Sequence, residues 1–178
     1  SGSEMAAEVN FYPNERLTLR SSLVWDPYST EMNAGHLQAS YRRDDSLFNM
    51  GYSYRRPLTS IQTQPQTQRI TEQAHFSAFF PLGNRWSVFG AINYSVQDSE
   101  SVEDMIGVQY DTCCWQVRVL HLRYFESVSG EVVDYSNPDL ERESSTQVQL
   151  VLKGMGGFGS RVSGLMEDMI RGYTDRDY

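Results

Sequence analysis

Apolar and polar side chains alternate along most of this chain with a period of two, the repeat of an extended strand and not of a helix. Between Arg85 and Val96, one side carries Trp86, Val88, Gly90, Ile92, Tyr94 and Val96, and the other Arg85, Ser87, Phe89, Ala91, Asn93 and Ser95. In Leu47–Arg55, Phe48, Met50, Tyr52 and Tyr54 share a side. In Gln147–Lys153, Val148, Leu150 and Leu152 stand opposite Gln147, Gln149 and Lys153. A chain patterned this way is all-β, and each strand has one greasy and one wet face.

Turn residues and alternation together give about nine strands. They fall at 6–12, 17–26, 33–43, 47–57, 71–81, 85–97, 103–112, 115–126 and 145–155. Most are longer than the usual five or six residues and approach the roughly 9–11 that cross a bilayer. Short turns lie at Pro13-Asn14-Glu15-Arg16, Arg43-Asp44-Asp45-Ser46, Leu82-Gly83-Asn84 and near Cys113. Longer polar loops lie at 58–70, 98–103 and 127–144, and the link at 27–32 is of middling length. Short and long connections alternate, so the expected fold is an antiparallel up-and-down meander, a partial transmembrane β-barrel with periplasmic turns and extracellular loops. The last strand would return to the turn side, which places the C-terminus in the periplasm. Trp25, Tyr54, Phe80, Trp86, Trp115 and Tyr124 cluster near strand ends, as interfacial girdles do.

Composition excludes other classes. No run of about 18 apolar residues is present, so no transmembrane helix is expected. A mean hydropathy of −0.51 does not distinguish a soluble chain from a barrel, since barrel strands average out. The net charge is −8, which argues against a nucleic-acid surface. The faces opposite the apolar ones carry Ser, Asn, Gln, Arg and Gly, which suit a wet lumen. Two alternatives remain: a small complete barrel of porin or adhesin type, or a soluble β-domain that binds a ligand with its apolar faces in a core.

Few residues could carry chemistry, and no enzyme is expected. Triad, metalloprotease, phosphate-loop and dinucleotide-loop contexts are all lacking. His36, His75 and His121 fall on separate strands, so no metal or cofactor site is expected. Glu100, Glu103 and Asp104, like Glu131, Asp134, Asp139, Glu141 and Glu143, read as solvated loop carboxylates. Cys113 and Cys114 are adjacent, and a bond between neighbours would be strained. Either they pair with cysteines outside this chain in an oxidising compartment, or they are free thiols in a turn. Gly154, Gly156, Gly157 and Gly159 suggest a bent strand end. Val162, Leu165, Met166, Met169 and Ile170 have helical spacing, expected of a short amphipathic helix on the periplasmic rim. Ser1-Gly2-Ser3 reads as a tag remnant, 4–160 as barrel strands and 161–178 as a periplasmic tail.

Two segments resemble the lipopolysaccharide-assembly family LptD, the organic solvent tolerance proteins. One is Tyr110-Asp111-Thr112-Cys113-Cys114-Trp115, followed by an Arg-containing strand. The other is Val151-Leu152-Lys153-Gly154-Met155-Gly156-Gly157-Phe158-Gly159-Ser160, with the tail to Tyr173. The resemblance implies one wall of a Gram-negative outer-membrane barrel of roughly 26 strands. It implies lipopolysaccharide as cargo, an LptE lipoprotein plug, and a missing N-terminal domain fed by an LptA-like periplasmic bridge. It implies that Cys113 and Cys114 bond to cysteines of that domain. It also makes the final strand, with Val148, Leu150, Leu152, Gly154, Gly156, Gly157 and Phe158, one side of a lateral exit seam. The same strand would be recognised by the barrel-assembly (BAM) machinery. About nine strands are too few for such a barrel, so the chain's sheet edges are expected to be open.

Overall fold

The fold is described from a computed structural model covering residues 5–27, 31–56, 71–125, 142–153, 156–158 and 160–174. Ten antiparallel strands form one sheet in sequence order: β1 (Met5–Asn14), β2 (Leu17–Asp26), β3 (Glu31–Arg43), β4 (Ser46–Arg55), β5 (Thr71–Leu82), β6 (Trp86–Ser95), β7 (Glu100–Asp111), β8 (Trp115–Phe125), β9 (Arg142–Leu152) and β10 (Gly156–Phe158). One helix, α1 (Ser160–Met169), follows. The all-β meander expected from the sequence is therefore the fold. No pairing joins β1 to β9 or β10 among the described residues, so the sheet is open at both edges.

Local chemistry explains the turns. Asn14 accepts through Oδ1 from the amides of Arg16 (2.9 Å) and Leu17 (2.8 Å), which closes the β1–β2 turn. Gly83 holds φ at +77°, which a side chain would resist, at the β5–β6 turn. The links at this end span 15–16, 44–45, 83–85, 112–114 and 153–155. Those at the other end span 27–30, 56–70, 96–99 and 126–141.

Several expectations need correction. The loop placed at 98–103 is only 96–99, because Glu100 to Glu103 extend β7 and pair with β6. The final long strand begins at Arg142 and ends at Leu152, not at 155. The chain then turns back, and Gly156, Gly157 and Phe158 pair with Leu152, Val151 and Leu150. The glycine run thus forms a short tenth strand rather than prolonging the ninth.

The helix expected on the rim lies instead on one face of the sheet. Val162, Met166, Met169 and Ile170 are buried with Phe79, Phe89, Ala91, Met105, Leu120 and Leu122. Gly172, at φ +82°, ends the helical stretch and turns its carbonyl to Arg42 Nη2 at 2.8 Å. The Arg171 guanidinium donates to Gln38, and the Arg171 carbonyl accepts from Asn49 Nδ2 at 2.9 Å. The tail therefore crosses the sheet from β9 to β3. This side is called the tail face and the opposite side the belt face.

Candidate functional site

The belt face is apolar and exposed. Across β5 and β6 it presents Ala74, Phe76, Ala78, Phe80 and Leu82 beside Tyr94, Ile92, Gly90, Val88 and Trp86. Met50, Ile106 and Val148 are 62%, 69% and 65% exposed, values a water-soluble core would not leave. Trp25, Phe80, Trp86 and Trp115 are exposed on this face near strand ends, and Tyr54 shares it half-buried. Tyr124 does not belong with them. It pairs with Glu103 on the tail face, and its hydroxyl donates to Glu143 at 3.1 Å. At the turn end, Trp86, Tyr110 and Trp115 form a ladder with ring centres 4.7 and 5.4 Å apart.

The belt is also oblique to the strand register. On β3 its middle is Leu37, whose register line runs through Tyr52 and Ala74 to Tyr94. On β9 its middle is Leu150, whose line runs through Val117 and Tyr110 to Trp86. Between β3 and β9 the belt has slipped eight residues along β6, from Tyr94 to Trp86. That is about 27 Å along the strand against about 29 Å across six strand spacings. The ratio corresponds to strands inclined about 43° from the perpendicular to the belt, close to the 35–45° tilt of bilayer-spanning strands.

The tail face is polar in one part and packed in another. Arg118 is 1% exposed. It donates to Gln109 Oε1 (2.9 Å), Gln149 Oε1 (3.0 Å), Ser163 Oγ (2.9 Å) and Tyr173 Oη (2.8 Å). The face read from the sequence as suited to a wet lumen is thus partly covered: α1 lies over the packed part, and Ser163 and Tyr173 reach Arg118. Sequence reasoning missed this footprint, although a signal was present. Phe79-Phe80, Val88-Phe89, Met105-Ile106 and Val119-Leu120 each break the alternation with two adjacent apolar residues, one for each face.

Cys113 and Cys114 form the tip of the β7–β8 hairpin. The Thr112 amide donates to the Trp115 carbonyl at 3.0 Å, and Thr112 Oγ1 accepts from the amides of Cys114 (3.4 Å) and Trp115 (3.1 Å). The two thiols are exposed and unbonded, with Sγ atoms 2.6 Å apart. Lys153 reaches back from β9 to Asp111 at 2.6 Å, and its amide donates to the Cys114 carbonyl. The hydrogen bond to Cys113, then its charge, holds the Cys114 thiol above the ordinary cysteine range, and Lys153 opposes this. Cys114 in the reduced chain is therefore expected to alkylate slowly at pH 8, with its rate rising only at more alkaline pH. Cys113→Ala removes the two largest causes, leaving the smaller effect of burial, and should speed Cys114 alkylation a few-fold at pH 8; an unchanged rate contradicts this.

The other residues singled out from the sequence do not assemble into a site. His75 contacts Asn93 Oδ1 (2.6 Å), and His121 contacts Thr146 (3.0 Å) on the opposite face. Glu100, Glu103 and Asp104 are strand residues, not loop residues: Glu100 pairs with Arg142, Glu103 accepts from Asn93 and Asp104 pairs with Arg123. Glu131, Asp134, Asp139, Glu141, Gly154 and Gly159 lie outside the described residues. Val148, Leu150 and Leu152 share the belt face of β9.

The family model described as LPS transport system D matches residues 1–86. The chain is 30% identical to the LPS-assembly protein LptD of Saccharophagus degradans, over 98% of this chain and 21% of that protein. It is 31% identical to the LPS-assembly protein LptD of Xanthomonas euvesicatoria, over 98% and 20%. It is 32% identical to the one from Nitrosococcus oceani, over 97% and 21%. The chain spans about a fifth of the length of these curated relatives.

Proposed function

Because this chain is a homologue of LPS-assembly protein LptD along nearly its whole length, we propose that it is the C-terminal wall of an outer-membrane barrel that inserts lipopolysaccharide into the outer leaflet. The oblique belt carries this reading. A sheet whose exposed apolar band is inclined at the angle of bilayer-spanning strands has its belt face against hydrocarbon. A soluble ligand-binding domain would bury that band, and a small closed barrel would pair its first and last strands.

In this reading the short turns are periplasmic, as is the chain's C-terminus, and the longer links are extracellular. The free edge of β9 is one lip of the lateral seam. Beyond Leu150 toward the loops, β9 has β8 on one side and no strand on the other among the described residues, so a strand from elsewhere in the longer protein can zip onto it reversibly. Gly156 and Gly157 keep the turn-side end of that lip weakly paired. Val148, Leu150 and Leu152 of β9, with Phe158 of the short β10 paired to it, then belong to the segment that the barrel-assembly machinery handles. Cys113 and Cys114, exposed at a periplasmic tip, bond to cysteines of the N-terminal domain. That domain takes lipid from an LptA-like bridge, and LptE fills the lumen. The wall does no covalent chemistry; its work is to hold a polar path beside a hydrocarbon one.

The reading is tested with a photo-crosslinking residue in the full-length protein in cells. Placed at Val148, beside the seam, it should capture lipopolysaccharide at least about tenfold more often than at Val88, which faces lipid three strands away. Equal capture at both positions overturns the seam assignment.

A further inference from the structure

The belt is not equally tall along the sheet. On β5 and β6 five successive belt-face positions are apolar, which is about 27 Å of strand and about 20 Å of height after tilt. On β8 the unbroken apolar run is Trp115, Val117 and Val119, with Phe125 apolar again only at the loop end, where the Arg142 guanidinium lies 4.8 Å over its ring, and on β9 the run is Val148, Leu150 and Leu152. Three positions cover about 14 Å of strand, or about 10 Å of height. Beyond them the same face turns polar. His121 pairs with Thr146 and Arg123 with Ser144 across the β8–β9 register, and all four are exposed. Arg123 donates to Asp104 Oδ2 at 3.0 Å, the next strand along.

Tilt alone does not produce this. Crossing two strand spacings at about 43° moves the level by about 9 Å, between two and three residues. The register partner of Ile92 on β8 is Arg123, through Asp104 on β7. The β8 residue level with Ile92 is therefore His121. One is apolar and the other is an imidazole bonded to a threonine hydroxyl. A second observation points the same way. On the tail face of this half of β8, Leu120 and Leu122 are packed under α1. The strand's polarity is inverted there, with its greasy side inward and its wet side outward, as in a surface meeting water.

We propose that the hydrocarbon against β7–β9 is about half as thick as against β5–β6, so that lipid headgroups and their water descend to His121 and Arg123. This rests on the membrane-wall reading above and extends it. The thinned strip lies against the last long strand, where a cargo with a large polar head must leave the lumen. A charged or polar side chain in full-depth hydrocarbon is costly, and the cost falls steeply toward the interface. Thinning removes that cost and shortens the apolar barrier beside the exit.

The test uses the full-length protein in dioleoylphosphatidylcholine vesicles. A nitroxide is introduced through an unnatural amino acid at Ile92, Val119 or His121, leaving Cys113 and Cys114 untouched. Collisions with oxygen report hydrocarbon, and collisions with a nickel chelate report headgroup and water. Ile92 and Val119 should be oxygen-dominated and His121 nickel-dominated, with the ratio changing about tenfold between Ile92 and His121. If the His121 label fails to insert, Thr146, its register partner, should give the same nickel-dominated signal. A His121 ratio equal to that at Ile92 overturns the thinning and leaves the membrane wall standing. A His121 label shielded from both reagents means that protein covers the strip, and also overturns it. Nickel-dominated signals at all three positions overturn the membrane wall itself.

Discussion

Replacing Gly107 by alanine is expected to prevent stable insertion of the sheet. Gly107 pairs with Phe89 across β6 and β7 on the tail face. A Cβ at this position would run into the Phe89 ring, meeting Cζ and, at 2.5 Å, Cε2, and would stand 2.8 Å from the Val119 carbonyl oxygen. The ring is itself confined, 3% exposed and stacked on Phe79 at 6.5 Å. Neither a backbone carbonyl in a ladder nor a buried ring can yield cheaply. We expect a loss of about 3 kcal/mol, the upper end for overpacking. Urea titration of the reconstituted protein, or the fraction protected from protease in cells, measures it. Phe89→Ala in the same chain should recover part of the loss, because it clears the ring but not the carbonyl. A Gly107→Ala protein as stable as the parent would show that the Phe89–Gly107 fit is not needed.

Arg118→Ala is expected to release the tail. Its guanidinium gathers Gln109 and Gln149 from β7 and β9, and Ser163 and Tyr173 from the tail, while nearly completely buried. Removing it leaves several buried acceptors without their donor, at about 3 kcal/mol. The cost falls on the docking of α1, so residues 160–174 should become cleavable by added protease while the strands remain protected. Arg118→Lys keeps the charge but not the planar fork and should restore little of the docking. A tail equally protected in all three proteins would assign its docking to the apolar contacts of Met166 and Ile170 alone.

The strands were legible because each follows one rule over many residues. Trp86, Val88, Ile92, Tyr94 and Val96 keep one parity from end to end, and the hairpin turns carry Asn14, Asp44 at φ 53° and Gly83, whose local chemistry closes them. The belt face was legible for the same reason. The tail's position was not. Helical spacing in Val162 to Ile170 gives the apolar stripe but says nothing of which surface accepts it. The acceptor was written elsewhere, in adjacent apolar pairs such as Val119-Leu120, and becomes a surface only when four strands stand side by side. The end of β9 failed for a different reason. Lys153 keeps the alternation going, so the pattern runs past the true turn, and the glycines after it carry no side chains to report a face. Glu100, Glu103 and Asp104 read as loop residues along the chain because all three are hydrophilic. Their partners, Arg142, Asn93 and Arg123, are supplied by other strands and cannot be seen along one.

The tail's grip on β3 and β4 also bears on timing. Arg171 reaches Gln38 and Asn49, and Gly172 reaches Arg42, contacts between residues more than 120 positions apart in the chain. Closures across so long a separation come late and cannot be made by a partial chain. A chain stopped or cut before Arg171 has strands able to pair with their neighbours but lacks the clasp that joins early hairpins to late ones. The tail contacts of Arg171 and Gly172 thus join the early hairpins to a segment made well over a hundred residues later.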